Sequence, residues 1–367
     1  MMKKMILVWL SLFLVGTMLA GCGQVAAKLD EVFPEGTVTT TVTETELPLP
    51  ERERRTYTVL LAVRAREPEQ ITTLSLLTFD TEDKSVYWWM LPTNLFVHVE
   101  ETTLAGVFST AYRQEIEQEG ISQMEATRAG MLAMKELVEK GFQIPIDYYV
   151  SLDPTQLVSL VNGSLEGVPM TITEPIGGLG IGEANLNGND AVNFIAYKGY
   201  SDSSEERMVA RRMFAAALWL RASKVITSEN LTEHVTQLRT KMTTDIPFGQ
   251  GEDIFFWRRF LQADASAVQI TQISAQGIYY NGTSCQVINR ENTFRQLNEQ
   301  LGVYQEPLLD EQFDPNALLV DNSYPLVRTV YLSTSPFPQL YTMQELDPSY
   351  QPEEEEETVQ AQDEPNE

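Results

Sequence analysis

The sequence predicts an α/β fold in one domain, a mixed central sheet sandwiched between helices, and three observations carry that expectation. Short runs rich in Val, Leu, Tyr and Trp alternate with segments whose apolar residues repeat at helical spacing. The strand-like runs come first as a group and then singly between helices, an order that puts helices on both sides of a sheet. Of 367 residues, 43% are hydrophobic and 9% aromatic, ample material for a buried core.

Tyr57 to Val63, Thr73 to Phe79 and Val86 to Leu91 read as three strands bounded by charged or proline-containing breaks, and Asp80 to Lys84 is short enough for a hairpin turn. Ile121 to Lys140 places Met124, Met131, Met134, Leu137 and Val138 on one helical face, the methionines as core filler. Tyr148 to Leu152 and Val168 to Ile172 are further strands, with a short helix from Pro154 to Val161 between them. Helices over Ser204 to Ala222 and Ser228 to Lys241 follow, then a strand over Gly277 to Tyr280 and a helix over Glu291 to Leu301. No internal repeat has a solenoid or propeller period.

The flanks differ in composition. Lys3 and Lys4 precede an uncharged run from Met5 to Leu19 and then Leu19-Ala20-Gly21-Cys22, which reads as a lipoprotein signal over residues 1–21 with Cys22 as the lipidated residue. The run is shorter than the ~20 apolar residues a spanning helix needs, so an uncleaved membrane anchor is the lesser alternative. Residues 22–56 are expected to form the lipidated N-terminus and a linker, ending in Glu51-Arg52-Glu53-Arg54-Arg55. The body spans 57–303, a C-terminal extension 304–350, and an acidic disordered tail 351–367 that includes Glu353 to Glu357. The expected location is extracytoplasmic, lipid-anchored to a bacterial cell membrane.

With 26 Lys and Arg against 52 Asp and Glu the net charge is −26, and loss of residues 1–21 removes Lys3 and Lys4 and no acidic residue. Such a surface repels nucleic acid, which excludes it as a partner. Cys22 and Cys285 are the only cysteines, so lipidation of the first leaves no internal disulfide. Cys285 reads as a packed small apolar residue.

Several stretches, in order, resemble the LytR-CpsA-Psr family, whose members move undecaprenyl-pyrophosphate-linked glycopolymers onto peptidoglycan. Leu60-Leu61-Ala62-Val63-Arg64-Ala65-Arg66, then Thr72-Thr73-Leu74-Ser75-Leu76-Leu77 and Asp80, stand where the family has a strand, an arginine-bearing loop and a second strand. Leu91-Pro92-Thr93-Asn94 stands for its Ile-Pro-Arg-Asp, and Leu186-Asn187-Gly188 with Ala191, Phe194 and Ile195 for its Leu-Asn-Gly segment ending in Arg-x-Arg. Ser204-Glu205-Glu206-Arg207-Met208 matches its Asp-x-x-Arg-x-x-Arg-Gln helix start, and Tyr280-Asn281-Gly282-Thr283-Ser284 its closing segment. The likeness spans about residues 57 to 303.

A pyrophosphate diester carries two negative charges, and breaking it requires arginine forks and a magnesium ion on the charge that develops. Here the resemblance puts Thr72 at the metal-side aspartate, Thr93 and Asn94 at the Arg-Asp pair, and Ala196 and Lys198 at Arg-x-Arg. Ser204 replaces the helix aspartate, Arg207 is kept, Ala210 replaces the second arginine and Arg211 the glutamine. The remaining candidate anion- or pyrophosphate-binding residues are Arg66, Lys198, Arg207 and Arg211, with no metal ligand at the expected positions, since magnesium favours carboxylates. Arg207 and Arg211 lie four apart on one helix face. The bland alternative is that these cations only solvate a helix of an acidic protein.

Other chemistry is weakly signalled. Gly177-Gly178-Leu179-Gly180-Ile181-Gly182 lacks the strand and helix spacing of a dinucleotide fingerprint and reads as a loop. His98 and His234 are isolated, which does not make a zinc site, and His98 reads as a strand-edge residue. No nucleophile-elbow motif supports a Ser-His-Asp triad. Asn162, Asn230 and Asn281 begin glycosylation sequons that a bacterial lipoprotein does not use.

The expected function is that of a degenerate family member binding a polyprenyl-phosphate lipid, glycan or envelope protein partner, anchored to the membrane through its N-terminal lipid and using no cofactor. Two readings stay open beside it: an active phosphotransferase, which would need magnesium and relocated acids, and a structural envelope factor with no ligand. They separate on whether an apolar cavity exists and whether the four cations converge at its mouth.

Overall fold

A computed structural model describes residues 48–320 apart from 54–55, 173–174, 177, 198–204, 240–241, 248–251, 262, 264–266 and 281. The signal segment, Cys22, Lys198, Ser204 and the acidic tail lie outside the described residues.

A six-stranded mixed sheet organises the domain. β1 (Thr56–Arg64), β2 (Ile71–Asp80) and β3 (Val86–Leu91) run antiparallel in sequence, with the turn at 81–85 that the sequence predicts. β6 (Tyr148–Leu152) adds parallel to β1, and β10 (Val268–Gln272) parallel to β3. The two-residue β9 (Thr243–Thr244) completes the order β10-β3-β2-β1-β6-β9. The carboxyl ends of β1, β3, β6 and β10 therefore share one edge with the start of β2. Crevices at that edge are where open sheets of this kind bind ligands.

Alternation along the strands divides the side chains between two faces. Leu60, Ala62, Leu74, Leu76, Trp89 and Leu91 pack beneath α1 (Leu104–Ile116) and α2 (Gln123–Phe142). Ser122 and Glu125 close a capping box at the start of α2, fixing where the helix begins. Met131, Met134, Leu137 and Val138 are buried as expected, but Met124 is 62% exposed. It sits in the first turn, beyond the reach of the neighbouring helix, and is not core filler.

On the opposite face, Val59, Leu77, Trp88, Met90 and Val150 meet α5 (Glu205–Val225) and α7 (Glu252–Leu261). A second cluster lies beside it, built from α3 (Pro154–Ser159), the hairpin of β7 (Val168–Ile172) and β8 (Gly182–Leu186), α4 (Gly188–Ala196) and α6 (Leu231–Arg239). β4 (Phe96–Val97), β5 (Thr102–Thr103), β11 (Ala275–Tyr280), β12 (Thr283–Ile288) and α8 (Arg290–Gln296) complete the fold. His98 is not on a strand edge: it opens an exposed 3-10 turn just after β4.

Residues on both sides of 57–303 pack against the domain. Residues 51–53 pair with 303–305 through Glu53 N to Val303 O and Gln305 N to Glu51 O, both 2.9 Å. The Arg52 guanidinium forks onto the Asp147 carboxylate, which also accepts from Thr58 N. Phe313 and Leu318 are buried in the first core, Leu318 where Gly141 leaves no Cβ in its way. Among the described residues no helix is long and apolar enough to cross a membrane.

Candidate functional site

The site is a cavity of about 200 Å³ between the sheet and α5. Its floor is the alternating set Val59, Leu61, Val63 and Thr73, Ser75, Leu77, with Trp88, Met90, Val150 and Leu152. Its roof is a single stripe of α5, Arg211, Phe214, Ala215, Leu218, Trp219 and Ala222, spaced by threes and fours. At 1.5 Å per residue that stripe is about 16 Å long. Trp257, Phe260 and Leu261 of α7 close one side, and Ile195 of α4 another. Besides the tryptophan N–H groups, polarity in the lining comes from Thr73, Ser75 and Arg211, and the Ser75 hydroxyl already accepts from Trp88 Nε1 at 2.8 Å.

The cavity has a polar end. Val63, Thr73, Leu152 and Ile195 lie with Arg211 toward the carboxyl edge of the sheet. Arg211, only 9% exposed, donates from Nε to the Ile195 carbonyl at 3.4 Å. Two residues earlier on α4, Asn193 Oδ1 accepts from the exposed Arg66 at 3.5 Å. Arg207 stands one turn before Arg211 on the same stripe, partly buried, outside the lining. Its Nε is buried without a hydrogen-bond partner. The fold thus brings Arg66 and Arg211 to one helix, α4, and Arg207 next to Arg211; Lys198 lies outside the described residues.

Two buried cations escaped the sequence reading, Arg64 and, on α5, Arg212 at 2% exposed. Arg64 is 5% exposed, with its guanidinium 3.4 Å from Asp153 and 3.3 Å from the Pro68 carbonyl. Burial pushes its pKa down and the Asp153 charge offsets part of that shift. It follows Leu60 and Ala62 in the alternation that faces α1 and lies beside Tyr112, so it braces the edge rather than lining the cavity. The signal for it was its place at the end of an apolar alternation.

The Leu-Asn-Gly segment has a structural explanation. Leu186 is buried, Asn187 caps α4 by accepting from Asn189 N and Asp190 N, and Gly188 N donates to Asn162 Oδ1 at 2.7 Å. A Cβ on Gly188 would lie 2.5 Å from Val158 Cα and 2.7 Å from its carbonyl oxygen, so α4 can approach α3 only with glycine there. Gly188→Ala is expected to cost about 1–3 kcal/mol, the usual range for overpacking, measured by urea denaturation.

The donor set at the edge does not suit magnesium. Thr72, Thr93 and Asn94, where the resemblance places charged residues, offer hydroxyl and amide groups. Asp153 is engaged as the α3 cap and with Arg64, and Glu69 faces Arg113 at 3.5 Å. Among the described residues no three His, Cys, Asp or Glu side chains are grouped as a metal site would require. A hard cation needs several oxygen ligands with carboxylate among them.

Comparison with known proteins gives the following. The model of the LytR_cpsA_psr family matches residues 60–301. Protein gbs0355 of Streptococcus agalactiae superposes with a TM-score of 0.55 at 12% identity, over 72% of this chain and 93% of that one. TagV of B. subtilis gives 0.53 at 17% identity, over 69% and 100%. TagT bound to LIIa-WTA gives 0.50 at 17%, over 68% and 92%. At these identities the structures show a shared fold. No curated protein matches in sequence.

Proposed function

The chain belongs to the LytR-CpsA-Psr family, and on that premise we propose that it is a lipid-anchored, extracytoplasmic member that binds a polyprenyl-phosphate lipid without metal-assisted phosphoryl transfer. Membership places it in cell-envelope glycopolymer biogenesis, among proteins that work outside the cytoplasm at the membrane. The observation that carries the ligand reading is the apolar cavity ending at Arg211, with Arg207 and Arg66 beyond it. An apolar tail gains about 25 cal/mol per Å² buried there, and guanidinium groups give an anionic head its strongest hydrogen bonds. TagT, which shares the fold, is bound to LIIa-WTA, which supports a ligand of that kind for this chain. Loss of the edge carboxylates at Thr72 and Asn94 argues against magnesium-assisted chemistry. The lipid anchor is supported by the Leu19-Ala20-Gly21-Cys22 pattern.

The test is titration of the purified full chain with a short-chain polyprenyl pyrophosphate, with and without magnesium, following tryptophan fluorescence and free phosphate. Saturable quenching that magnesium leaves unchanged, with no phosphate released, is the expected result. Magnesium-dependent release would replace the binding reading with an enzymatic one. No binding would leave a structural role.

A further inference from the structure

We propose that β11 is a docking edge on which two copies of this chain pair strand to strand, antiparallel about a two-fold axis at Gly277. The sequence marks the segment first. From Ala265 to Asn289 no residue is charged, in a chain where 21% of residues are Asp, Glu, Lys or Arg. Exposed edge strands are ordinarily guarded by lysine, proline or another charge, because their free backbone groups accept a passing strand. Ala275–Tyr280 carries none of these, and Gln276, Gly277 and Tyr279 are exposed, Tyr279 at 77%.

The ladder fixes which backbone groups are open. Among the described residues β11 pairs with β12 alone, Ala275 opposite Ile288, Gly277 opposite Gln286 and Tyr279 opposite Ser284. On β12 the Gln286 and Ile288 N–H groups turn the other way, to Asn94 O at 2.9 Å and Leu319 O at 3.3 Å. Opposed residues of an antiparallel pair exchange either both bonds or none, so Ala275, Gly277 and Tyr279 direct their N–H and C=O groups away from β12. Among the described residues no backbone bond from outside the ladder reaches them.

A second copy turned about Gly277 meets that row in register. Gly277 exchanges both bonds with Gly277 of the second copy, and Ala275 does so with its Tyr279. The side chains suit this arrangement: glycine stands on the axis, where two side chains would compete for one space, and each tyrosine ring lies across an alanine, a large-on-small cross-strand pair. Charge favours the same edge. Two copies at net −26 repel over most of their surfaces, and a strand without charge is where they can come into contact. At ~3.4 Å per residue the edge is only ~20 Å long, so the interface is smaller than the standard size and the dimer is weak and concentration-dependent. Salt screens the repulsion that remains and should strengthen it.

The test is disulfide trapping in the purified full chain in nonionic detergent, on a Cys22→Ser background that leaves the buried Cys285 as the only native thiol. An added Cβ at Gly277 meets nothing within 4 Å, so Gly277→Cys should fold. Facing residues of a bonded pair lie about 5.5 Å apart between Cα atoms, inside the range a disulfide spans. Gly277→Cys should therefore oxidise to a covalent dimer at least tenfold faster than Gln276→Cys, whose counterpart lies on the diagonal at about 7–8 Å. Sedimentation of the wild type should show a dimer that grows with concentration and with salt. Gly277→Pro removes an outward N–H without touching a bond to β12, and should be monomeric. Equal trapping at both positions, or association that salt weakens or that Gly277→Pro leaves intact, overturns the proposal. So does a monomeric wild type: rapid maleimide labelling of Gly277→Cys would then mean a bare edge, and slow labelling an edge covered from within the same chain. The trapping comparison decides even if the proline variant does not fold.

Discussion

Ala215→Trp is expected to abolish saturable binding of prenyl lipids while leaving the domain folded. Ala215 is 4% exposed and sits mid-stripe on α5, between Arg211 at the polar end and Ala222 at the other. An indole in place of its methyl group projects into the space a lipid tail would fill. Overpacking a filled core typically costs 1–3 kcal/mol, but here the added volume meets a cavity, so the cost should fall at or below the low end, about 1 kcal/mol. Affinity should drop at least a hundredfold, about 2.7 kcal/mol, for farnesol as well as for anionic probes. Retained binding with an unchanged melting temperature would place the lipid elsewhere.

The sheet was legible because its first three strands are runs rich in Val, Leu, Tyr and Trp set between charged or proline-containing breaks: β1, β2 and β3 begin within two residues of their expected starts. β4, β5 and β9 have two residues each, too few for a period to show. Leu104, Val107, Phe108 and Tyr112 of α1 do carry helical spacing, within a run that also holds Gly106 and Thr110. The site was harder to read. From Met208 to Ala217 every residue of α5 is buried, so the helix has no polar face from which its orientation could be inferred. Arg207 and Arg211 share a stripe by spacing alone, but that the stripe roofs a cavity follows only from the packing of α5 between two clusters. Burial of Arg211 also departs from the reading of these cations as a solvated face.

Trp88 and Trp89 offer the sharpest separation of fold from binding. They are consecutive on β3, so pleating sends them to opposite faces. Trp89 is fully buried beneath α1 and α2 and donates from Nε1 to Gln300 Oε1 at 3.1 Å, tying β3 to the turn that follows α8. Trp88 lines the cavity and donates to Ser75 at 2.8 Å. Trp89→Ala should destabilise by about 3–5 kcal/mol, the range for large aromatic deletions in cores, with the buried Gln300 left lacking a donor at some further cost. Trp89→Phe should keep much of the packing and lose about 1 kcal/mol with the hydrogen bond, with lipid affinity unchanged. Trp88→Ala should lose less stability than Trp89→Ala, because its face already borders empty space. It should also lose lipid affinity and part of the fluorescence response. Urea denaturation and lipid titration on the same variants check both halves. If Trp89→Phe changed lipid affinity as much as Trp88→Ala did, the two faces would be coupled, and the cavity could not be treated as a site independent of the core beneath it.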